Sequence, residues 1–294
     1  MTANLSGKSF VSMLDLSKDE ILQVLEAARI LKASGYPADR TPLKGKTLAM
    51  IFQKPSLRTR VSFEAGMTRL GGHAVYLAPS DISLGKRETT EDIALVLSRY
   101  VDIIMARVFG HEIVEELAKH AKVPVINGLS DLEHPCQIMA DFQTIVERRG
   151  RLDGIRACYI GDGNNVTHSL MLGAARVGMH MTVITPPGYE PQQRVSRLAR
   201  DAAGTGSEIV VTNDLAAASG CEVLYTDVWA SMGQEEEAAE RRRIFTKYRI
   251  DADTMNIAAP DAVILHCLPA HYGDEIDYAT SRLPNSAIFD QAEN

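Results

Sequence analysis

The sequence predicts an α/β protein of two similar-sized domains. Each is expected to be a parallel sheet flanked by helices, with the active site in the cleft between them. Three observations lead there. The chain has 294 residues, and one domain ordinarily takes about 150. Short apolar runs alternate with amphipathic stretches along its length, as strands joined by crossover helices do in a parallel sheet. The alternation breaks at Gly150-Arg151-Leu152-Asp153-Gly154 and then restarts, so the domains are drawn at 1–150 and 151–294.

In the first half, Ser17-Lys18-Asp19-Glu20 is a capping box. The helix it opens carries Ile21, Leu25, Ala28 and Leu31 on one face and ends at Gly35-Tyr36-Pro37. A strand at 48–52 runs into a helix that starts near Ser56, carries Phe63, Met67 and Leu70, and stops at Gly71-Gly72. Next come a strand at 74–77 and a loop at 79–88 with few apolar residues. A helix at 91–100, a strand at 101–106, a helix at 111–121 and a strand at 123–126 follow. A loop at 127–133 and a helix at 135–149 close this half.

The second half reads as strand 156–160, helix 165–177, strand 181–185 and the turn Pro186-Pro187-Gly188. Helix 191–203 follows, then strands at 208–212, 223–226 and 262–266. Between the last two, Glu235-Glu236-Glu237 precedes Arg241-Arg242-Arg243. Acids at a helix start and bases near its end complement the dipole, so this reads as a solvated helix with a Glu237–Arg241 pair.

Composition narrows the function. Apolar residues make up 45% of the chain, enough for two cores, and the net charge is −7. A nucleic-acid or anionic-membrane partner needs a broad basic face, which that balance disfavours. Cys136, Cys158, Cys221 and Cys267 are scattered, as reduced thiols in a cytoplasmic protein are. The N-terminus has no signal-peptide core and no run is long enough to span a bilayer.

In open parallel sheets ligands sit beyond the carboxyl ends of the strands, which selects 53–60, 107–110, 127–137, 161–165, 226–233 and 266–271. Lys54-Pro55-Ser56-Leu57-Arg58-Thr59-Arg60 joins a strand to a helix start, where unpaired N–H groups attract anions. It fits a phosphate site and a capped surface helix equally well. Gly161-Asp162-Gly163-Asn164-Asn165 is not a dinucleotide fingerprint, since Val166 stands where the third glycine belongs and no acid ends the next strand. Its glycines leave Asn164 or Asn165 facing the cleft, and Asn165 suits a carboxylate or an amine. His134-Pro135-Cys136-Gln137 offers a carbonyl donor and an amide, although a capping histidine and a core thiol fit as well. No second ligand pair accompanies His134 and Cys136, so no metal is expected. Asp227 is placed to hold an ammonium group, followed by the small segment Ser231-Met232-Gly233. His266-Cys267-Leu268-Pro269-Ala270-His271 brings a thiol and a histidine to the same sheet edge, where a cysteine is more often buried than catalytic.

Taken in order, these segments resemble the aspartate/ornithine transcarbamylase family. Ser56 to Arg60 and His134 to Gln137 are similar to its general signature. Asp227-x-x-x-Ser231-Met232-Gly233 and His266-Cys267-Leu268-Pro269 are similar to its ornithine branch, and Phe289 to Asn294 extends the match to the end of the chain. The resemblance implies transfer of a carbamoyl group from carbamoyl phosphate to L-ornithine, with no cofactor. It makes 1–150 the carbamoyl phosphate-binding domain and 151–294 the ornithine-binding domain. Ser56, the Leu57 backbone, Arg58, Thr59 and Arg107 would hold the phosphate. Arg58, Thr59, His134 and Gln137 would surround the carbonyl oxygen. Asn165, Asp227, Ser231 and the Met232 backbone would fix the ornithine α-groups. Cys267 and Leu268 would line the site near the carbamoyl group and the attacking amine. A homotrimer, or a multiple of trimers, is implied.

Three departures stand out. Leu57 replaces a small hydroxyl residue. Ser83 stands where relatives supply Gln or His to a neighbouring subunit. The sequence stops at Asn294, where relatives continue with an Arg and a helix, so a chain ending there is expected to be impaired. A transcarbamylase with another amine acceptor and a non-catalytic anion-binding subunit are the competing readings. Asp227 opposes the first, because its carboxylate suits a free α-amino group.

Overall fold

The computed structural model describes residues 3–35, 41–82, 88–230 and 237–294. Ser83, Ser231, Met232 and Gly233 lie outside the described residues. The chain forms two compact units, Met1–Cys136 and Gln137–Asn294.

The first unit holds a parallel sheet of β1 (Thr47–Phe52), β2 (His73–Leu77), β3 (Ile103–Arg107) and β4 (Val125–Leu129), in the order β2-β1-β3-β4. Its helices are α1 (Lys18–Ala33), α2 (Leu57–Arg69), α3 (Pro79–Ile82), α4 (Thr90–Leu97) and α5 (His111–His120). Successive residues of β1 point to opposite faces. Leu48, Met50 and Phe52 join Met67 and Met105 in one core, while Ala49 and Ile51 join Ile104, Val114 and Leu117 in another. Both faces are therefore dry, and each fully buried large side chain contributes about 1.5–3 kcal/mol.

The second unit holds β5 (Arg156–Ile160), β6 (His180–Ile184), β7 (Ile209–Thr212), β8 (Val223–Thr226) and β9 (Val263–His266), all parallel, in the order β7-β6-β5-β8-β9. Its helices are α6 (Pro135–Arg149, whose first two residues fall in the first unit), α7 (Asn165–Val177), α8 (Gln193–Ala203), α9 (Ala238–Phe245), α10 (Ala252–Ile257) and α11 (Ile288–Glu293).

Strand order locates the reactive edges. The chain leaves β1 towards β2 on one side and returns to β3 on the other, so the first sheet reverses between β1 and β3. The second reverses between β5 and β8. Ligand crevices form at the carboxyl ends of such strand pairs.

The structure departs from the sequence reading in several places. Part of the 127–133 loop is strand: β4 runs on to Leu129, because the Asn127 N–H donates to Phe10 O at 2.8 Å and its side chain to Val11 O at 3.0 Å. The 79–88 loop begins with a helical turn, α3, steadied by the Ala78 N–H donating to Asp81 Oδ2 at 2.7 Å. The helix expected to Tyr100 ends at Leu97. The periodic pattern did not reveal α10 and α11. Helix α9 is not simply solvated: Arg241 is buried, its Nη1 3.1 Å from Asp162 Oδ2 and donating to Trp229 O at 2.8 Å. The expected Glu237–Arg241 pair is present at 2.9 Å.

Candidate active site

At the β1–β3 switch, Ser56 caps α2 from an extended backbone, accepting the Thr59 N–H at 3.4 Å. Its hydroxyl donates to Thr59 Oγ1 at 3.1 Å. Arg107, register partner of Phe52 and only 8% exposed, donates from Nη1 to the same Thr59 oxygen at 3.3 Å. Gln53 ties the two strand ends together: its N–H donates to Arg107 O and its Oε1 accepts from the Phe109 N–H, both at 2.8 Å. The start of α2 thus gathers backbone donors, two hydroxyls and a buried guanidinium, with Arg58 exposed beside them. Helix-start N–H groups and the dipole favour an anion there. The Leu57 side chain is 76% exposed, which leaves the backbone as its contribution. Lys54 lies over the Phe109 ring at 4.6 Å, and Arg60 over Tyr76 at 3.9 Å while paired with Glu64 at 2.9 Å. Both thus brace neighbouring parts of the first unit.

His134 follows a braced turn. Ser130 N–H donates to Glu133 O at 2.9 Å, the Glu133 N–H to Ser130 Oγ at 3.1 Å, and the Met13 N–H to the buried Glu133 carboxylate at 3.1 Å. His111 Nδ1 meets the Ser130 hydroxyl at 2.8 Å. His134 as a residue is half-buried, and its ring Nδ1 is shielded from solvent. Burial first, and the Arg107 charge second, hold its pKa down at about 3, so the imidazole is neutral. Cys136 donates to Asn127 O at 3.4 Å, and burial pushes its pKa up to about 12. That is a structural thiol.

At the β5–β8 switch, Gly163 is required because a Cβ there would sit 2.3 Å from Pro191 N. The tight turn delivers Asn164, whose Oδ1 caps α7 at the Val166 and Thr167 N–H groups, at 3.0 and 3.1 Å. Asn164 Nδ2 donates to Asp227 Oδ2 at 2.8 Å. Asp227 Oδ1 accepts from the Cys267 thiol at 3.0 Å and from the Val228 N–H at 2.8 Å. One carboxylate thus joins the ends of β5, β8 and β9. Asn165 stands next to this group, its Oδ1 accepting from the Val166 N–H at 3.0 Å. Burial, reinforced by Asp227, raises the Cys267 pKa, so that thiol is protonated.

The segment after β9 has its own scaffold. His266 Nδ1 accepts from the Leu268 N–H at 2.9 Å, so Nε2 carries the ring proton and meets Glu275 Oε1 at 3.0 Å. That oxygen also accepts from the His271 N–H at 2.6 Å. Leu268 is held at φ 56°, a left-handed conformation that costs a non-glycine residue about 1–2 kcal/mol. Asp227, His266 and Cys267 bring potential ligand atoms within 4.8 Å of one another. Both His266 nitrogens, however, are already engaged with Leu268 and Glu275.

Within the first unit the structure therefore joins Ser56, Thr59 and Arg107. Within the second it joins Asp227 and Cys267, with Leu268 next in sequence and Asn165 alongside. Gln137 donates to Asp141 at 2.9 Å. The sequence reading chose Asn165 and left Asn164 as its alternative, although Asn164 is the residue that touches Asp227. It passed over Asp141, which helical i,i+4 spacing from Gln137 could have shown. Gln291, 150 residues further on, left no local signal.

A family profile described as the carbamoyl-P binding domain of aspartate/ornithine carbamoyltransferase matches residues 8–147. Its companion, the Asp/Orn binding domain, matches residues 153–294. This chain belongs to the aspartate/ornithine carbamoyltransferase family. It is 52% identical over 296 residues to the ornithine carbamoyltransferase of Anoxybacillus flavithermus, covering 100% of this chain and 94% of that protein. With that of Thermococcus kodakarensis it shares 50% over 299 residues, at the same coverage. Among solved structures, the ornithine carbamoyltransferase from Pyrococcus furiosus superposes with a TM-score of 0.95 at 49% identity, covering 99% of this chain and 94% of that one. The fold expected from the sequence, two domains built on parallel sheets flanked by helices, is the fold of these relatives.

Proposed function

We propose that this protein transfers the carbamoyl group of carbamoyl phosphate to the side-chain amine of L-ornithine, giving L-citrulline and phosphate. The observation that carries the reading is Asp227. Its carboxylate is preorganised by Asn164, Cys267 and the Val228 N–H at a sheet switch point, where it suits a free α-ammonium group. Full-length relatives with about half their residues in common, all named ornithine carbamoyltransferase, support it.

Residue roles follow from the chemistry. Ser56, the Leu57 N–H, Arg58, Thr59 and Arg107 hold the phosphate of carbamoyl phosphate. Arg58, Thr59 and neutral His134 donate to the carbonyl oxygen as negative charge grows there. Gln137 binds the same carbamoyl group, and Cys267 and Leu268 line its surroundings. Asp227 and Asn165 hold the α-groups of ornithine. The δ-amine attacks the carbonyl carbon, the bond to the phosphate oxygen breaks, and the amine proton ends on phosphate. An alkyl amine has a pKa near about 10.4, and neighbouring Arg58 and Arg107 cations lower it towards the reactive neutral form. Carbamoyl phosphate is already an activated donor, so positioning two substrates supplies much of the rate, an effect worth about 7–11 kcal/mol. We assign carbamoyl phosphate to residues 1–150 and ornithine to 151–294.

The protein is proposed to work in the cytoplasm, as a homotrimer or a multiple of trimers. No helix among the described residues is long and apolar enough to cross a membrane. Leu57 and Val61 expose apolar surface on α2, and among the described residues β2 is the last strand on its side of the sheet, surfaces a second copy could cover. A role in arginine biosynthesis fits a relative from Pyrococcus furiosus named as the anabolic enzyme, 50% identical to this chain.

The test offers ornithine, aspartate, N-acetylornithine and putrescine in parallel with carbamoyl phosphate. Turnover with ornithine should dominate. Preference for any other acceptor would overturn the assignment.

A further inference from the structure

Gln137 does not stand alone. It lies in the first turn of α6, four residues before Asp141, so the two share one helix face. Gln137 Nε2 donates to Asp141 Oδ1 at 2.9 Å. The same oxygen accepts from Gln291 Nε2 of α11 at 2.7 Å. Gln291 also donates to the Tyr225 hydroxyl of β8 at 3.1 Å, and its own carbonyl oxygen accepts the His266 N–H of β9 at 2.8 Å. Asp141 and His266 are fully buried, and Gln291 and Tyr225 are 1% exposed. A carboxylate or carboxyl carbonyl oxygen only accepts. Two amides converging on it must both turn their NH2 ends inward, which fixes which way each points. With its NH2 turned to Asp141, the Gln137 side chain presents its carbonyl oxygen as the other end, the group that can accept an N–H from a carbamoyl NH2.

We propose that Asp141, held by Gln291, is a positioning residue: its Oδ1 sets the orientation of the Gln137 amide and links it to the end of β9, the strand that leads into Cys267. This rests on the carbamoyl-transfer reading above. The essential feature is an acceptor oxygen, not a negative charge. Burial, with Asp227 nearby, raises the Asp141 pKa to about 7 against the pull of Gln137, Gln291 and Tyr225, so near neutrality the group is partly uncharged and still accepts at Oδ1. Asparagine, which keeps that oxygen, is its closest mimic.

The test is a double-mutant cycle on citrulline formation. Asp141→Ala should lower kcat by about tenfold or more, the scale of a mispositioned catalytic group, with KM for ornithine within twofold. In a Gln137→Ala background the same change should lower kcat by less than about twofold, since there is no amide left to orient. Asp141→Asn should restore most of the kcat that Asp141→Ala loses. Equal losses in both backgrounds would mark a purely structural residue and overturn the proposal, as would Asp141→Asn performing no better than Asp141→Ala. If Asp141→Ala does not fold, Gln291→Met runs through the same cycle: a loss of kcat that needs Gln137 supports the proposal, and one that does not overturns it. A wild-type protein that forms no citrulline would instead refute the carbamoyl-transfer reading, so the two failures are distinguishable.

Discussion

Arg58 and Asp227 carry opposite charges and opposite assignments, which makes them separable. Arg58 is exposed at the first turn of α2, beside hydroxyls already ordered by Arg107. A charge-assisted hydrogen bond is worth about 1.5–3 kcal/mol, so Arg58→Ala should weaken carbamoyl phosphate binding at least about tenfold. Asp227→Ala should leave that affinity in place and weaken ornithine instead. Equilibrium binding of each ligand alone measures both. An Arg58→Ala protein that keeps its carbamoyl phosphate affinity within about threefold, under 1 kcal/mol, would remove Arg58 from the phosphate site. Single-residue chemistry was readable here because charge and hydroxyl type survive in the sequence. The neutrality of His134 was not, since it depends on burial and on Arg107, 27 positions away in the chain.

Elements decide which of two neighbouring asparagines does what. The GDGNN turn was legible as a strand-to-helix junction, and the boundaries of α7 came out as expected. The split between Asn164 and Asn165 was not legible, because it follows from the close approach of Gly163 to the 189–191 segment. Asn164 carries two jobs, the α7 cap and the hydrogen bond to Asp227. Asn164→Ala should lose both, costing about 1 kcal/mol of stability for the cap along with ornithine affinity. Asn164→Ser keeps a capping oxygen on a side chain too short to reach Asp227. It should regain the stability, measured by thermal unfolding, without regaining the affinity. Recovery of both by serine would mean that Asn164 serves ornithine only through the helix. The α9 segment shows the converse limit. Its charge pattern foretold the Glu237–Arg241 pair, but a pattern of exposed charges cannot show that Arg241 also reaches a buried Asp162 some 79 positions earlier.

At the scale of the molecule, both parallel sheets were legible because their inner strands β1, β3, β5 and β8 are almost wholly buried and so read as continuous apolar runs. Long-range polar links such as Gln291 to Asp141 leave no such trace. Burial of ionisable side chains, by contrast, gives the two units opposite responses to pH. In the second unit, burial raises Asp141 to about 7 and Asp162 to about 6. Each binds its proton more tightly folded than unfolded, so its contribution is complete below about pH 4 and is lost as pH rises through those values. In the first unit His134 is held near 3, below an unfolded value of about 6.5. Its contribution is complete above that value and is lost as pH falls towards 3. From pH 5 to pH 7 the second unit should therefore lose on the order of 3 kcal/mol from the two acids, while the first gains. Trp229, the one tryptophan in the chain, lies buried in the second unit. Its fluorescence should report a lower urea midpoint at pH 7 than at pH 5, while far-UV circular dichroism follows both units. Asp141→Asn should flatten the tryptophan-detected difference, and His134→Asn should leave it intact. A midpoint from Trp229 that rises over this range would show that the buried carboxyls do not govern the unit.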